Sequence, residues 1–185
     1  MSTALLVIDV QNALCFGEYA AFESERVIDR INGLSTAARR AGIPVIFIQH
    51  EEEGEMLRRG SEGWELARGM LVEESDLVIG KTATDSFHHT RLQAELARLG
   101  ITRLVICGLQ SEFCVDTTTR RALALGFPVT LVEDAHSTVD NAILSAAQIA
   151  AHHTATLANI DSFGPRVTPR TAADVAAAFT APAIS

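Results

Sequence analysis

The sequence predicts a three-layer α/β fold with a doubly wound parallel sheet. Three observations predict it. Apolar runs of strand length carry no polar alternation, as strands buried on both faces do. These runs alternate with segments of helical periodicity, the pattern of βαβ units. Glycines follow the helical segments at Gly42, Gly100 and Gly126, where a helix stop is expected.

The first strand is Ala4–Ile8, closed by Asp9. A helix follows from about Glu23 to Ala41, on the spacing of Val27, Ile28, Ile31 and Leu34. Pro44 leads into the second strand, Val45–Ile48. Residues 49–75 are polar, charged and glycine-punctuated, and read as a long functional loop with short helical pieces near the site. The third strand, Leu77–Ile79, ends at Gly80 and Lys81. A helix over Thr90–Leu99 precedes the fourth strand, Leu104–Cys107, with Gly108 as its stop. A helix from about Cys114 to Leu125 leads to a fifth strand, Val129–Val132. Residues 141–158 form an alanine-rich helix, with a short strand expected near Thr156–Ile160 if that helix ends early. A terminal helix over Thr171–Phe179 and a frayed C-terminus complete a single domain over 1–185.

Composition narrows the function. The net charge is −8 and the arginine doublets are scattered, which argues against nucleic acid and anionic membrane as partners. The run Ala4–Val10 has no basic flank and is interrupted by Asp9, so it does not read as a signal segment, and a cytoplasmic location is expected. Three cysteines without CxxC spacing suggest neither a disulfide framework nor a zinc ribbon.

In an open α/β sheet, ligands bind at the carboxyl ends of the strands. Asp9, Lys81 and Cys114 all fall there. Cys107 sits inside an apolar run and reads as an inert core thiol. Cys114 instead follows a polar loop and precedes a helix, where the helix dipole and a nearby Lys81 are expected to lower a thiol's pKa. Asp9 supplies a base for its proton.

The segments LLVIDVQNALCFG (5–17), IPVIFIQH (43–50), DLVIGKTATDSFHHTRLQAELARLGI (76–101) and RLVICGLQSEFCVDTTTRRALALGFPVTLVEDAHST (103–138) resemble the isochorismatase-like cysteine hydrolases. These are relatives of nicotinamidase, N-carbamoylsarcosine amidohydrolase and streptothricin hydrolase, on a Rossmann-like fold. The resemblance implies a catalytic set of Asp9, Lys81 and Cys114, and C–N cleavage through a thioester acyl-enzyme. It also implies a non-proline cis peptide between Leu109 and Gln110, an oxyanion hole from the backbone N–H groups of Gln110 and Cys114, and a homodimer or homotetramer. Nicotinamidases bind a metal through an Asp-x-His pair; here the region reads Gln49-His50-Glu51-Glu52-Glu53, so no metal and no cofactor are expected. The substrate implied is a small amide, ureide or lactam.

Phe16, Gln49, His50, Trp64, Phe87, Gln110 and Phe113 lie in loops or at strand ends beside the catalytic positions and are candidates to bind the substrate. Gln11 and Asn12 are candidates to orient Asp9, and Asp134, Ser137 and Thr138 to support the site. The doublets His88-His89 and His152-His153 read as surface or interface, since adjacent helical residues face apart. Two other readings compete: an isochorismatase-type vinyl-ether hydrolase, which needs no cysteine nucleophile, and a catalytically silent binding or assembly domain.

Overall fold

A computed structural model describes residues 2–180. The chain runs β1 (Thr3–Ile8), α1 (Asn12–Cys15), α2 (Ser24–Arg40), β2 (Val45–His50), β3 (Leu77–Lys81), α3 (Leu92–Arg98) and β4 (Arg103–Leu109). A π-helical turn, Ser111–Val115, then leads into α4 (Asp116–Ala124), β5 (Val129–Ser137), α5 (Ala146–Ala158), β6 (Val167–Arg170) and α6 (Ala172–Thr180). The frayed C-terminus expected from the sequence lies outside the described residues.

The strands form one sheet in the order β3-β2-β1-β4-β5-β6, and every pair is parallel. Successive side chains point to opposite faces, so each central strand feeds two cores. Leu6, Ile8, Ile48 and Ile106 pack with Leu92 and Leu96 of α3, Leu123 of α4 and Leu157 of α5. Leu5, Val7, Phe47 and Val105 pack with Ile28, Ile31 and Leu34 of α2 and Val175 of α6. The strand order reverses between β1 and β4, and a crevice forms where two neighbouring strands send their chains to opposite faces. Asp9 follows β1 and the Cys114 turn follows β4 at that point.

Gly108 does not stop β4. The strand runs on to Leu109, and Gly108 pairs with Ile8 and His136. It adopts φ 115°, and a Cβ there would collide with the Ile8 backbone. Only glycine allows this approach between β1 and β4. Beside it the β4–β5 register shifts, and β5 continues through the polar Glu133 and Asp134 to Ser137, well beyond the apolar run that marked it.

Three other expectations are corrected. The strand expected near Thr156–Ile160 is not formed, because α5 extends to Ala158 from a capping box at Ser145 and Gln148. The sixth strand is Val167–Arg170 at the sheet edge, where Pro169 costs no ladder bond to a further neighbour. The long loop carries turns and no regular helix. It is pegged to the end of β1 instead. The Gln11 amide donates to the carbonyls of His50 (2.9 Å) and Trp64 (2.8 Å), and Asn12 donates to Glu62 and accepts from the Arg68 N–H. Gln11 and Asn12 therefore hold the loop, not the Asp9 carboxylate. At the far end, Arg39 of α2 grips Asp76 bidentately at 3.0 and 2.6 Å.

Candidate active site

The parallel register sets His50 of β2 directly against Lys81 of β3. Both side chains lie on the face of Ile48 and Ile79, two residues earlier on each strand, which is the face that packs against Cys114. Asp9 arrives from β1 with φ 50°, a left-handed conformation that aspartate tolerates better than most residues, and its N–H donates to the Ile48 carbonyl. Three residues far apart in sequence thus meet. Lys81 Nζ donates to Asp9 Oδ2 at 2.7 Å, to Cys114 Sγ at 3.2 Å, and lies 3.1 Å from His50 Nδ1.

An ammonium has three protons and no lone pair. Its three protons find three acceptors here, so His50 Nδ1 must accept and the imidazole proton sits on Nε2. The electrostatics agree: burial and the Lys81 charge push the His50 pKa down, which keeps the ring neutral. The Lys81 side chain is wholly buried and that of Asp9 is 2% exposed. Asp9 Oδ1 is also buried, and has no hydrogen-bond partner among the described residues. That oxygen is the open proton acceptor of the cluster.

The thiol does not behave as its position in the sequence suggested. Burial pushes the Cys114 pKa up to about 12, the Asp9 charge adds to this, and Lys81 opposes both without overcoming them. Cys114 also lies in the π-helical turn, two residues before α4 begins. The resting sulfur is a neutral thiol beside a buried ion pair. Cys15 is likewise pushed up to about 12 and Cys107 higher still, both by burial, as inert core thiols.

The turn carrying Cys114 is clamped from β5 and α5. Ser111 Oγ is 2.8 Å from His136 Nδ1, whose Nε2 is 2.9 Å from Thr154 Oγ1. Thr138 donates to Glu112 at 2.9 Å. Asp116 pairs with Arg120 at 2.6 Å and with His153 Nδ1 at 3.0 Å. His136 was missed by sequence reasoning; its one signal is its place just before Ser137 and Thr138. Burial pushes its pKa down to about 4. His153 is half-buried against Asp116 and not a free surface residue. Ser137 donates to the Phe22 carbonyl, and Asp134 ties Arg30 of α2 to the start of α6.

The candidate substrate-binding residues separate into groups. A cavity of about 420 Å³ beside β3 is lined by Gln49 and Trp64, together with Glu51, Arg59, His89 and Arg91. Gln49 is buried and donates to the Trp64 carbonyl at 3.1 Å. His50 faces Lys81, as described. Phe87 is a core residue, 7% exposed, stacked on Phe127 and clustered with Leu92 and Leu96 of α3. Phe16 is half-buried beneath the Arg68 guanidinium, 4.8 Å from its ring centre. Phe113 is exposed on the turn beside Cys114. The Leu109–Gln110 peptide is cis, and the Gln110 carbonyl accepts from the N–H groups of Phe113 and Val115.

Comparison with known proteins gives a consistent set. An isochorismatase domain model matches residues 3–169. A streptothricin hydrolase of Streptomyces noursei is 43% identical over 138 residues, covering 74% of this chain and 50% of that protein. The chain thus spans about half the length of the streptothricin hydrolases it matches. A solved isochorismatase family protein superposes with a TM-score of 0.83 at 36% identity, over 91% of this chain and 98% of that one. N-carbamoylsarcosine amidase from Thermoplasma acidophilum superposes with a TM-score of 0.78 at 25% identity, over 93% and 97%. No helix among the described residues is long and apolar enough to cross a membrane.

Proposed function

The chain belongs to the isochorismatase family, and on that premise we propose that it is a cysteine hydrolase of small amides, ureides or lactams. One observation carries the reading. A carboxylate, an ammonium and a thiol from three strand ends share one buried cluster, with Lys81 2.7 Å from Asp9 and 3.2 Å from Cys114. Relatives named as a streptothricin hydrolase and an N-carbamoylsarcosine amidase support C–N cleavage.

Asp9 takes the thiol proton as the sulfur attacks the carbonyl carbon. The oxyanion that forms is met by the backbone N–H groups of Gln110 and Cys114. Lys81 orients Asp9 through their 2.7 Å contact and offsets the charge passing to the sulfur. The tetrahedral adduct collapses, the C–N bond breaks, and Asp9 returns its proton to the leaving amine. Water, deprotonated by Asp9, then cleaves the Cys114 thioester and frees the acid, and Asp9 passes that proton to the departing sulfur to restore the thiol.

The high resting pKa of Cys114 fits this order of events. The proton leaves only when the nucleophile is used, and Asp9 Oδ1 has no other partner to give up. The test is amine release across a panel of small amides and ureides, with rapid quench and mass spectrometry for an acyl group on Cys114. A covalent adduct whose formation and decay match turnover is expected. Amide turnover unchanged in Cys114→Ala would overturn the reading, and cleavage of a vinyl ether with no amine released from any amide would favour the ether hydrolase.

A further inference from the structure

Lys81 fills the centre of three donor atoms that are themselves a metal-ligand set. Asp9 Oδ2, His50 Nδ1 and Cys114 Sγ surround its nitrogen at 2.7, 3.1 and 3.2 Å. Ligand atoms of these residues lie within 4.8 Å of one another. Carboxylate oxygen, imidazole nitrogen and thiolate sulfur together suit zinc and its heavier congeners, and do not suit magnesium or calcium. A second observation points the same way: Asp9 Oδ1 is buried without a partner, so the carboxylate has coordinating capacity unused.

We propose that Asp9, His50 and Cys114 form a binding site for one thiophilic divalent cation of the zinc class, which the Lys81 ammonium holds shut in the resting protein. The proposal does not depend on the chain being an amidase. Zinc bonds to these ligands run at about 2.0–2.3 Å, shorter than the contacts to Nζ, so the donors close in by roughly 0.5–1 Å. A dication and an ammonium do not share that volume, so Lys81 must swing out as the metal enters. The bonds formed are metal to sulfur, nitrogen and oxygen, with water as a fourth ligand. The Cys114 proton passes to solvent, and no atom changes oxidation state. The neutral His50, with its proton on Nε2, already presents Nδ1 as a ligand.

The test uses Cd²⁺ and the Lys81→Met variant, which keeps the stem's bulk and removes the charge. After circular dichroism confirms the fold, Cd²⁺ is titrated and the ultraviolet thiolate-to-metal charge-transfer band is followed. One equivalent is expected to bind Lys81→Met at least a hundredfold more tightly than wild type. Adding His50→Ala weakens binding at least tenfold, and adding Cys114→Ser removes the band. If Lys81→Met does not fold, the wild type decides: millimolar Zn²⁺ slows iodoacetamide labelling of Cys114, and His50→Ala abolishes that protection. A folded Lys81→Met that binds Cd²⁺ no better than wild type overturns the proposal. So does labelling of wild-type Cys114 that zinc leaves unchanged.

Discussion

Lys81 donates to the Cys114 sulfur at 3.2 Å, yet the thiol remains protonated far above neutrality. Burial and the Asp9 carboxylate outweigh the one favourable cation. The signs give an unusual labelling pattern. With a pKa pushed up to about 12, the thiolate fraction rises tenfold per pH unit across the neutral range. The rate of iodoacetamide labelling should therefore climb from pH 7 to 10 without levelling near 8.5, where an ordinary thiol does. Asp9→Asn removes an upward influence, so resting labelling should speed up, by about tenfold for each pKa unit recovered, while turnover is lost. Lys81→Met removes the downward influence and should slow it. A plateau below pH 9, or slower labelling in Asp9→Asn, would contradict this electrostatic picture.

Cys114→Ala is expected to reduce amide turnover by roughly 10³-fold or more, since Cys114 is the thiol that shares Lys81 with Asp9. Stability should change by only about 1 kcal/mol, because a small side chain is removed from a turn held by Ser111, Glu112 and Asp116. Urea denaturation beside the activity assay separates the two effects. A variant that loses activity only because it unfolds would not support the nucleophile's role.

Much of this architecture is legible without coordinates. Ala4–Ile8, Val45–Ile48 and Leu104–Cys107 are apolar enough to be read as buried strands, and the rule for parallel sheets then carries Asp9, Lys81 and Cys114 to one rim. β6 was hidden because Val167-Thr168-Pro169-Arg170 is short, polar and contains proline, which only an edge position accommodates. The last part of β5 was hidden because a register shift places Glu133 and Asp134 inside the strand. His136 went with it. The protonation of Cys114 was not legible either, since helix position is a local property and burial is a tertiary one.

Gly108→Ala tests the close approach of β4 to β1. A methyl group there meets the Ile8 backbone, and φ 115° is unfavourable for alanine even without the collision. Backbone cannot yield as a side-chain tip can. The expected loss is about 2–4 kcal/mol by urea denaturation. Activity should suffer as well, because Gly108 lies three residues before the turn that carries Cys114. Gly126→Ala serves as a control: φ is 92° there but no atom lies within 4 Å of the added carbon, so the cost should be smaller. Equal losses in the two variants would show that strain alone, and not the approach to Ile8, sets the cost.

His136 makes stability depend on pH. The residue is 4% exposed, and its ring bridges Ser111 to Thr154 and is pushed by burial from 6.5 down to about 4. The unfolded chain therefore takes up a proton near pH 6.5 that the folded protein refuses until about pH 4. Stability from the neutral ring is complete above pH 6.5, and is lost as pH falls towards 4. At 1.36 kcal/mol per unit, the full interval is worth about 3 kcal/mol, and about 2 kcal/mol is already gone at pH 5. His136→Gln keeps a hydrogen-bonding side chain but cannot titrate. It should cost stability at pH 7 and flatten the decline between pH 6.5 and 5. The comparison must be made as a difference between wild type and variant at each pH, because every other ionisable group is common to the two. The difference curve isolates the imidazole. If wild type and His136→Gln decline in parallel from pH 7 to 5, the buried ring is not what ties this fold to neutrality.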